Sequence, residues 1–194
     1  MTSQKMRLFI VPRWSGRVNS QWYIWLKKEL EALDPPVFEQ VTILDMPSPD
    51  LPVPEKWIPR IAAGVGTDPE ELERSILVAH SIGCQACIRY LAALPPDKRL
   101  LGLVCVAGFW SVDDPWDTLK PWLNEPIDHK RVKSSAEQII VLLSPDDPIS
   151  SDIKGNALMW EELLDAVVQI IPGSSHFMET AEPSVLKAIQ DYFL

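Results

Sequence analysis

The residues from Ser75 to Tyr90 constrain this chain more than any other stretch, because their hydrophobic period changes at a single serine. Ile76-Leu77-Val78 is too short for a helix and β-branched enough for a strand buried on both faces, as at the centre of a parallel sheet. Beyond Ser81, residues Cys84, Cys87, Ile88 and Leu91 recur as one helical stripe, with Gln85 and Arg89 expected on the opposite side. A strand-to-helix turn of the form small-x-Ser-x-Gly exposes a serine Oγ and lets strand and helix approach closely. Ala79-His80-Ser81-Ile82-Gly83 has that form, with alanine where a first glycine is usual. On the pentapeptide alone, a serine that merely caps the following helix fits equally well.

A serine nucleophile needs a base to take its proton, and the base needs an orienting carboxylate. The chain has three histidines. His80 adjoins the serine, where successive side chains diverge, and His129 lies among Asp128, Lys130 and Arg131 in a surface-like run. His176 follows the apolar strand Val167 to Ile171 and a Pro172-Gly173-Ser174-Ser175 turn. That places it beyond a strand's carboxyl end, where open α/β sheets hold their sites. A further apolar strand, Ile139 to Leu143, runs directly into Ser144-Pro145-Asp146-Asp147-Pro148. Asp147 is preferred as the acid because Pro148 biases it to an extended backbone, while Asp146 suits a turn. The order Ser81, Asp147, His176 is that of α/β-hydrolases.

With 194 residues and 46% hydrophobic content, the chain suits one well-filled core, so a single domain over residues 1–194 is expected. A formal charge of −9 opposes nucleic acid and anionic membranes as partners. No apolar run reaches the ~18 residues of a membrane span. Met1 to Lys5 leads straight into a strand rather than a signal-peptide core, so a cytoplasmic protein is the simplest expectation; a monomer is expected separately. The three cysteines, Cys84, Cys87 and Cys105, form no disulfide framework, and no further Cys or His cluster completes a zinc site. The Cys84-x-x-Cys87 pair falls on the apolar stripe and reads as core rather than redox centre. Neither metal nor cofactor is expected.

Along the chain, strands are expected at Arg7–Val11, Val37–Leu44, Ile76–Val78, Leu101–Val106, Ile139–Leu143 and Val167–Ile171. A helix from Ser20 to Leu33, capped by Ser20, follows the first. The prolines between Met46 and Pro59 predict an extended connection, with a helix near Trp57 to Val65 shifted or kinked by Pro59. Gly108 to Gln138 reads as a long excursion carrying Trp110, Trp116, Trp122 and several aspartates, of the length often used for lids and binding loops. Helices near Ala157–Leu164 and Pro183–Phe193 close the chain. Alternating strands and helices imply a three-layer α/β/α sandwich around some six mostly parallel strands.

The chain also resembles a known family, the small serine hydrolases typified by retinoblastoma-binding protein 9 and the YdeN-like bacterial proteins. The marks are Ile10-Val11-Pro12, Trp22-Tyr23, Trp25 to Leu30, Met46-Pro47 and Trp57-Ile58-Pro59, followed by His80-Ser81 with Gly83, Arg89-Tyr90, Ser144 to Pro148 and His176-Phe177. The resemblance implies a compact six-stranded α/β-hydrolase fold with no separate cap domain. It also implies Ser81, Asp147 and His176 as a catalytic triad, and favours Asp147 over Asp146. Two positions depart from the family pattern: Arg13-Trp14 stands where the family is glycine-rich, and Ala79 replaces the elbow glycine. The tumour-suppressor-binding motif Leu-x-Cys-x-Glu is absent around all three cysteines, so that interaction is not implied.

The implied activity is hydrolysis of a small ester or amide, including aminoacyl substrates, through an acyl-enzyme. The alternative is a hydrolase-like fold serving as a binding module, with its protein partner unspecified. Oxyanion donors are expected from the backbone of Ile82 and of Arg13 or Trp14. Trp14, Phe109, Trp110, Trp116 and Phe177 are the expected pocket walls, with Trp14 shortening the pocket against long acyl chains. Asp113, Asp114 or Asp117 could pair with an aminoacyl amine if one faced the pocket.

Overall fold

A computed structural model describes residues 4–194; Met1 to Ser3 of the N-terminal segment read above lie outside the described residues. Six parallel strands form one sheet: β1 (Met6–Val11), β2 (Phe38–Ile43), β3 (Ser75–His80), β4 (Leu100–Val106), β5 (Ala136–Leu143) and β6 (Val167–Ile170), in the order β2-β1-β3-β4-β5-β6. The helices are α1 (Tyr23–Glu31), α2 (Pro54–Val65), α3 (Pro69–Leu72), α4 (Ile82–Ala93), α5 (Lys120–Asn124), α6 (His129–Ser134), α7 (Ile153–Leu164) and α8 (Pro183–Phe193).

The layers follow from strand pleating. Along β1 and β3, Phe9, Val11, Leu77 and Ala79 face one core, while Leu8, Ile10, Ile76 and Val78 face the other. Alternate side chains leave opposite faces of a strand, so an unbroken apolar run marks a sheet covered on both sides. The first core takes Trp57 and Ile61 of α2, the buried side of α4, Trp122 of α5 and Trp160 of α7. The second takes Tyr23, Leu26 and Leu30 of α1 and Val185, Ala188 and Ile189 of α8.

Right-handed crossovers explain this division. The connection from β1 to β2 runs toward one sheet edge, whereas those from β2 onward run toward the other, so α1 lies on the face opposite α2 and α4. The reversal opens a crevice at the carboxyl ends of β1 and β3, the place where such sheets bind ligands. In the β1–β3 register Val11 pairs with Ala79, which sets the loop beginning at Pro12 level with the turn at Ser81.

Several local expectations differ from the structure. The helix expected from Ser20 begins at Tyr23 without a side-chain cap, because Ser20 Oγ instead accepts the Arg17 N–H at 2.9 Å. The proline-rich connection ends at Val53, since Pro54 occupies the first turn of α2, where the missing N–H has no helical partner to lose. The excursion is shorter than expected: α5 and α6 form within it, and β5 starts at Ala136. Asp128 caps α6 by accepting the Arg131 N–H at 3.0 Å. Gln85 and Arg89 are buried rather than exposed, because α4 is covered all round by the sheet, α2, α5 and α6.

Candidate active site

The chain turns sharply at Ser81, with φ 55° and ψ −119°, a conformation costly for a residue bearing a Cβ. Two hydrogen bonds hold it: Ser81 N–H donates to Val106 O at 2.8 Å, and Ser81 O accepts from Cys84 N–H at 2.9 Å. Gly83 makes the turn compatible with the neighbouring strand, since a Cβ there would lie 2.7 Å from Val11 O and 2.9 Å from Pro12 O. Ala79, in the other small position, is fully buried in the first core.

His176 and Asp147 reach Ser81 from two other strand ends. His176 Nε2 lies 2.9 Å from Ser81 Oγ, and His176 Nδ1 lies 2.7 Å from Asp147 Oδ2. The side chains of His176 and Asp147 are only 8% and 6% exposed, so water competes weakly for these bonds. The chemistry assigns the protons of the neutral imidazole. An ionised carboxylate only accepts, so Nδ1 carries the hydrogen and Nε2 presents its lone pair to the serine hydroxyl. Asp147 is itself oriented by Ile149 N–H, which donates to its Oδ1 at 2.9 Å.

Asp146 has a different task. It accepts the Ser144 hydroxyl at 2.6 Å, Gly173 N–H at 3.0 Å and Ser175 N–H at 3.2 Å, tying the acid loop to the histidine loop. These bonds, led by that from Ser144, hold its carboxyl below the usual aspartate value. A depressed folded pKa contributes stability that is full above the unfolded value of about 3.9 and is lost as pH falls through the lower folded value. Asp146→Asn should therefore lower the melting temperature at pH 7 more than at pH 3; an equal loss at both pH values would remove this electrostatic role.

Behind the imidazole runs a chain of buried polar groups that the sequence did not reveal. His80 Nε2 lies 2.9 Å from His176 O and His80 Nδ1 lies 2.8 Å from Tyr23 OH, while Arg13 N–H donates to Tyr23 OH at 3.1 Å. A carbonyl only accepts, so His80 Nε2–H donates to His176 O and Nδ1 accepts the Tyr23 hydroxyl proton. Burial, followed by the nearby His176, pushes His80 well below its ordinary pKa and keeps it neutral. Trp22 Nε1–H donates to Phe177 O at 3.0 Å, so the consecutive carbonyls of His176 and Phe177 are both anchored. The adjacency that set His80 aside as a base is what lets it brace the histidine loop from behind.

Ser81 and His176 open on a cavity of about 390 Å³, whose walls include Trp14, Phe109, Trp116, Leu119, Ile149 and Met178. The Trp14 and Trp116 rings meet edge to face at 5.3 Å, and Trp14 Nε1–H donates to Asp50 O at 3.2 Å. Two expected wall residues lie elsewhere. Trp110 packs against Trp160 at 5.0 Å and His129 at 5.4 Å, on the far side of its segment, because Asn156 Oδ1 accepts its backbone N–H. Phe177 is fully buried in the second core, since φ 52° turns its side chain inward and leaves Met178 at the cavity.

Backbone N–H groups beside the serine differ in availability. Ile82 opens α4 and so has no helical acceptor for its N–H. Among the described residues Trp14 N–H also has no acceptor, whereas Arg13 N–H is committed to Tyr23. Of the two alternatives in this loop, only Trp14 thus keeps a free donor. Asp113 is bound to Ser151 through its N–H and hydroxyl, and none of Asp113, Asp114 and Asp117 lines the cavity. All three cysteines are buried, and burial raises the Cys87 and Cys105 thiols well above their ordinary pKa.

Residues 8–193 match the family profile described as serine hydrolase. YdeN of Bacillus subtilis (strain 168) is 30% identical over 197 residues, spanning 100% of this chain and 97% of its own. The serine hydrolase RBBP9 of Rattus norvegicus is 25% identical over 176 residues, spanning 87% of this chain and 84% of its own. The crystal structure of the ydeN gene product superposes with a TM-score of 0.85 at 28% identity, covering 97% of this chain and 99% of that one.

Proposed function

The chain belongs to the serine hydrolase family, and from that premise we propose that it cleaves small esters or amides through Ser81, His176 and Asp147. The observation that carries the reading is the line of hydrogen bonds from Asp147 through His176 to Ser81 Oγ, opening on the cavity. Ser81 Oγ attacks the substrate carbonyl as its proton passes to His176 Nε2, and Asp147 stabilises the imidazolium so formed. The carbonyl oxygen gains negative charge facing the N–H groups of Ile82 and Trp14. Collapse breaks the bond to the alcohol or amine, which leaves with the proton from His176, and Ser81 retains the acyl group. Water then repeats the sequence, with the same imidazole as base, and releases the acid.

Labelling with an active-site-directed fluorophosphonate tests this reading. One adduct on Ser81, abolished in Ser81→Ala, is the expected result; folded protein that takes up no label overturns it.

The cavity favours short acyl groups, because Trp14 is held across it by Trp116 and by Asp50. Over a chain-length series of 4-nitrophenyl esters, kcat/KM should peak at acetate or butyrate. In Trp14→Gly the peak should move to longer chains, since removing an indole frees room for several methylenes at ~0.8 kcal/mol each. A wild-type maximum at dodecanoate or beyond contradicts the short pocket.

A further inference from the structure

The loop after β1 carries two arginines in contrasting settings. Arg17 lies outside and is paired, its Nη2 lying 2.7 Å from Asp50 Oδ2. Arg13 lines the cavity, and among the described residues it forms no ion pair. Its Nη1 donates to the carbonyl of Trp14, and its Nε is buried without an acceptor. Among the described residues lining the cavity, Arg13 and His176 are the ionisable side chains, and none is Asp or Glu. The β1–β3 register and the approach of Gly83 to Pro12 O keep the start of this loop against the turn at Ser81.

A guanidinium supplies five N–H donors and is satisfied best by the paired oxygens of a carboxylate or phosphate. Resting on the hydrolase reading above, we propose that the preferred substrates carry an anionic group, with Arg13 as its counter-ion. This reverses the charge anticipated from the aspartates of the excursion, which do not reach the cavity. An aminoacyl ammonium would meet a cation there and no carboxylate. The net charge of −9 repels anions at long range, but salt screens that field beyond about 8–10 Å. Arg13 is itself a lining residue of the cavity, and low local dielectric strengthens its pull there.

Two matched pairs of esters test the proposal wherever the anion sits. One pair is 4-nitrophenyl pentanoate against mono-4-nitrophenyl glutarate; the other is phenyl acetate against 4-acetoxybenzoate, each rate taken above its uncatalysed background. In at least one pair kcat/KM should favour the anion by about tenfold or more, as a charge-assisted hydrogen bond implies. The ratio should fall toward one in Arg13→Gln, persist in Arg13→Lys, and shrink in the wild type as ionic strength rises. That last measurement needs no variant and is unaffected if Arg13→Gln folds poorly. Turnover of the neutral esters without anion preference in either pair overturns this inference alone. If all four esters are inert and Ser81 takes up no fluorophosphonate, the hydrolase reading falls and this inference with it.

Discussion

Ser81→Ala is expected to lower kcat/KM for 4-nitrophenyl butyrate by on the order of 10⁴- to 10⁶-fold, with little change in melting temperature. The described partner of the Ser81 hydroxyl is His176 Nε2, so removing the oxygen leaves the imidazole still held by Asp147 and braced by His80. The turn depends on backbone bonds to Val106 and Cys84, which alanine keeps. Steady-state kinetics with thermal melts separates the two effects. Residual activity within tenfold of the wild type would show that another group carries the reaction.

Asp147→Asn is expected to cost about 10⁴-fold in kcat, again with the fold intact. An amide of the same shape keeps the bond from Ile149 N–H but no longer demands a hydrogen on Nδ1. The imidazole can then place its hydrogen on Nε2, where it blocks acceptance of the serine proton. Asp146→Asn provides the contrast, because Asp146 binds Ser144, Gly173 and Ser175 and does not touch the imidazole. Its kcat should fall by roughly tenfold at most, through a looser histidine loop. Equal losses in the two variants, or the larger loss at Asp146, would reassign the carboxylate.

The sheet and its order of elements were legible because they depend on short-range pattern. Apolar runs such as Leu8–Val11 and Ile76–Ala79 require cover on both faces, and crossover handedness then leaves few arrangements. Ser81, Asp147 and His176 stand out because each lies in the turn or loop that follows a strand, and parallel strands deliver such residues to one edge. Helix starts are less legible: the prolines around Pro54 predict an extended segment, although proline suits a first helical turn as well as a loop.

What the sequence alone determined is therefore whatever a strand's period and its following loop carry with them: two apolar faces, one sheet edge, and three chemically distinct side chains delivered to it. Tertiary structure decided which way the loop residues turned and what they met. Phe177 went inward and Met178 outward, Trp110 joined Trp160 while Trp116 joined Trp14, and Gln85 with Arg89 became buried. Arg89 shows why composition misleads there. Its guanidinium donates to Trp122 O, Glu125 O and Gln85 Oε1, and burial pulls it down to about 10. Those acceptors belong partly to a segment more than thirty residues away. The same holds for Trp22 and Phe177, which are 155 residues apart. A side chain's neighbours across such distances are set by how the layers close, and no local periodicity encodes that closure.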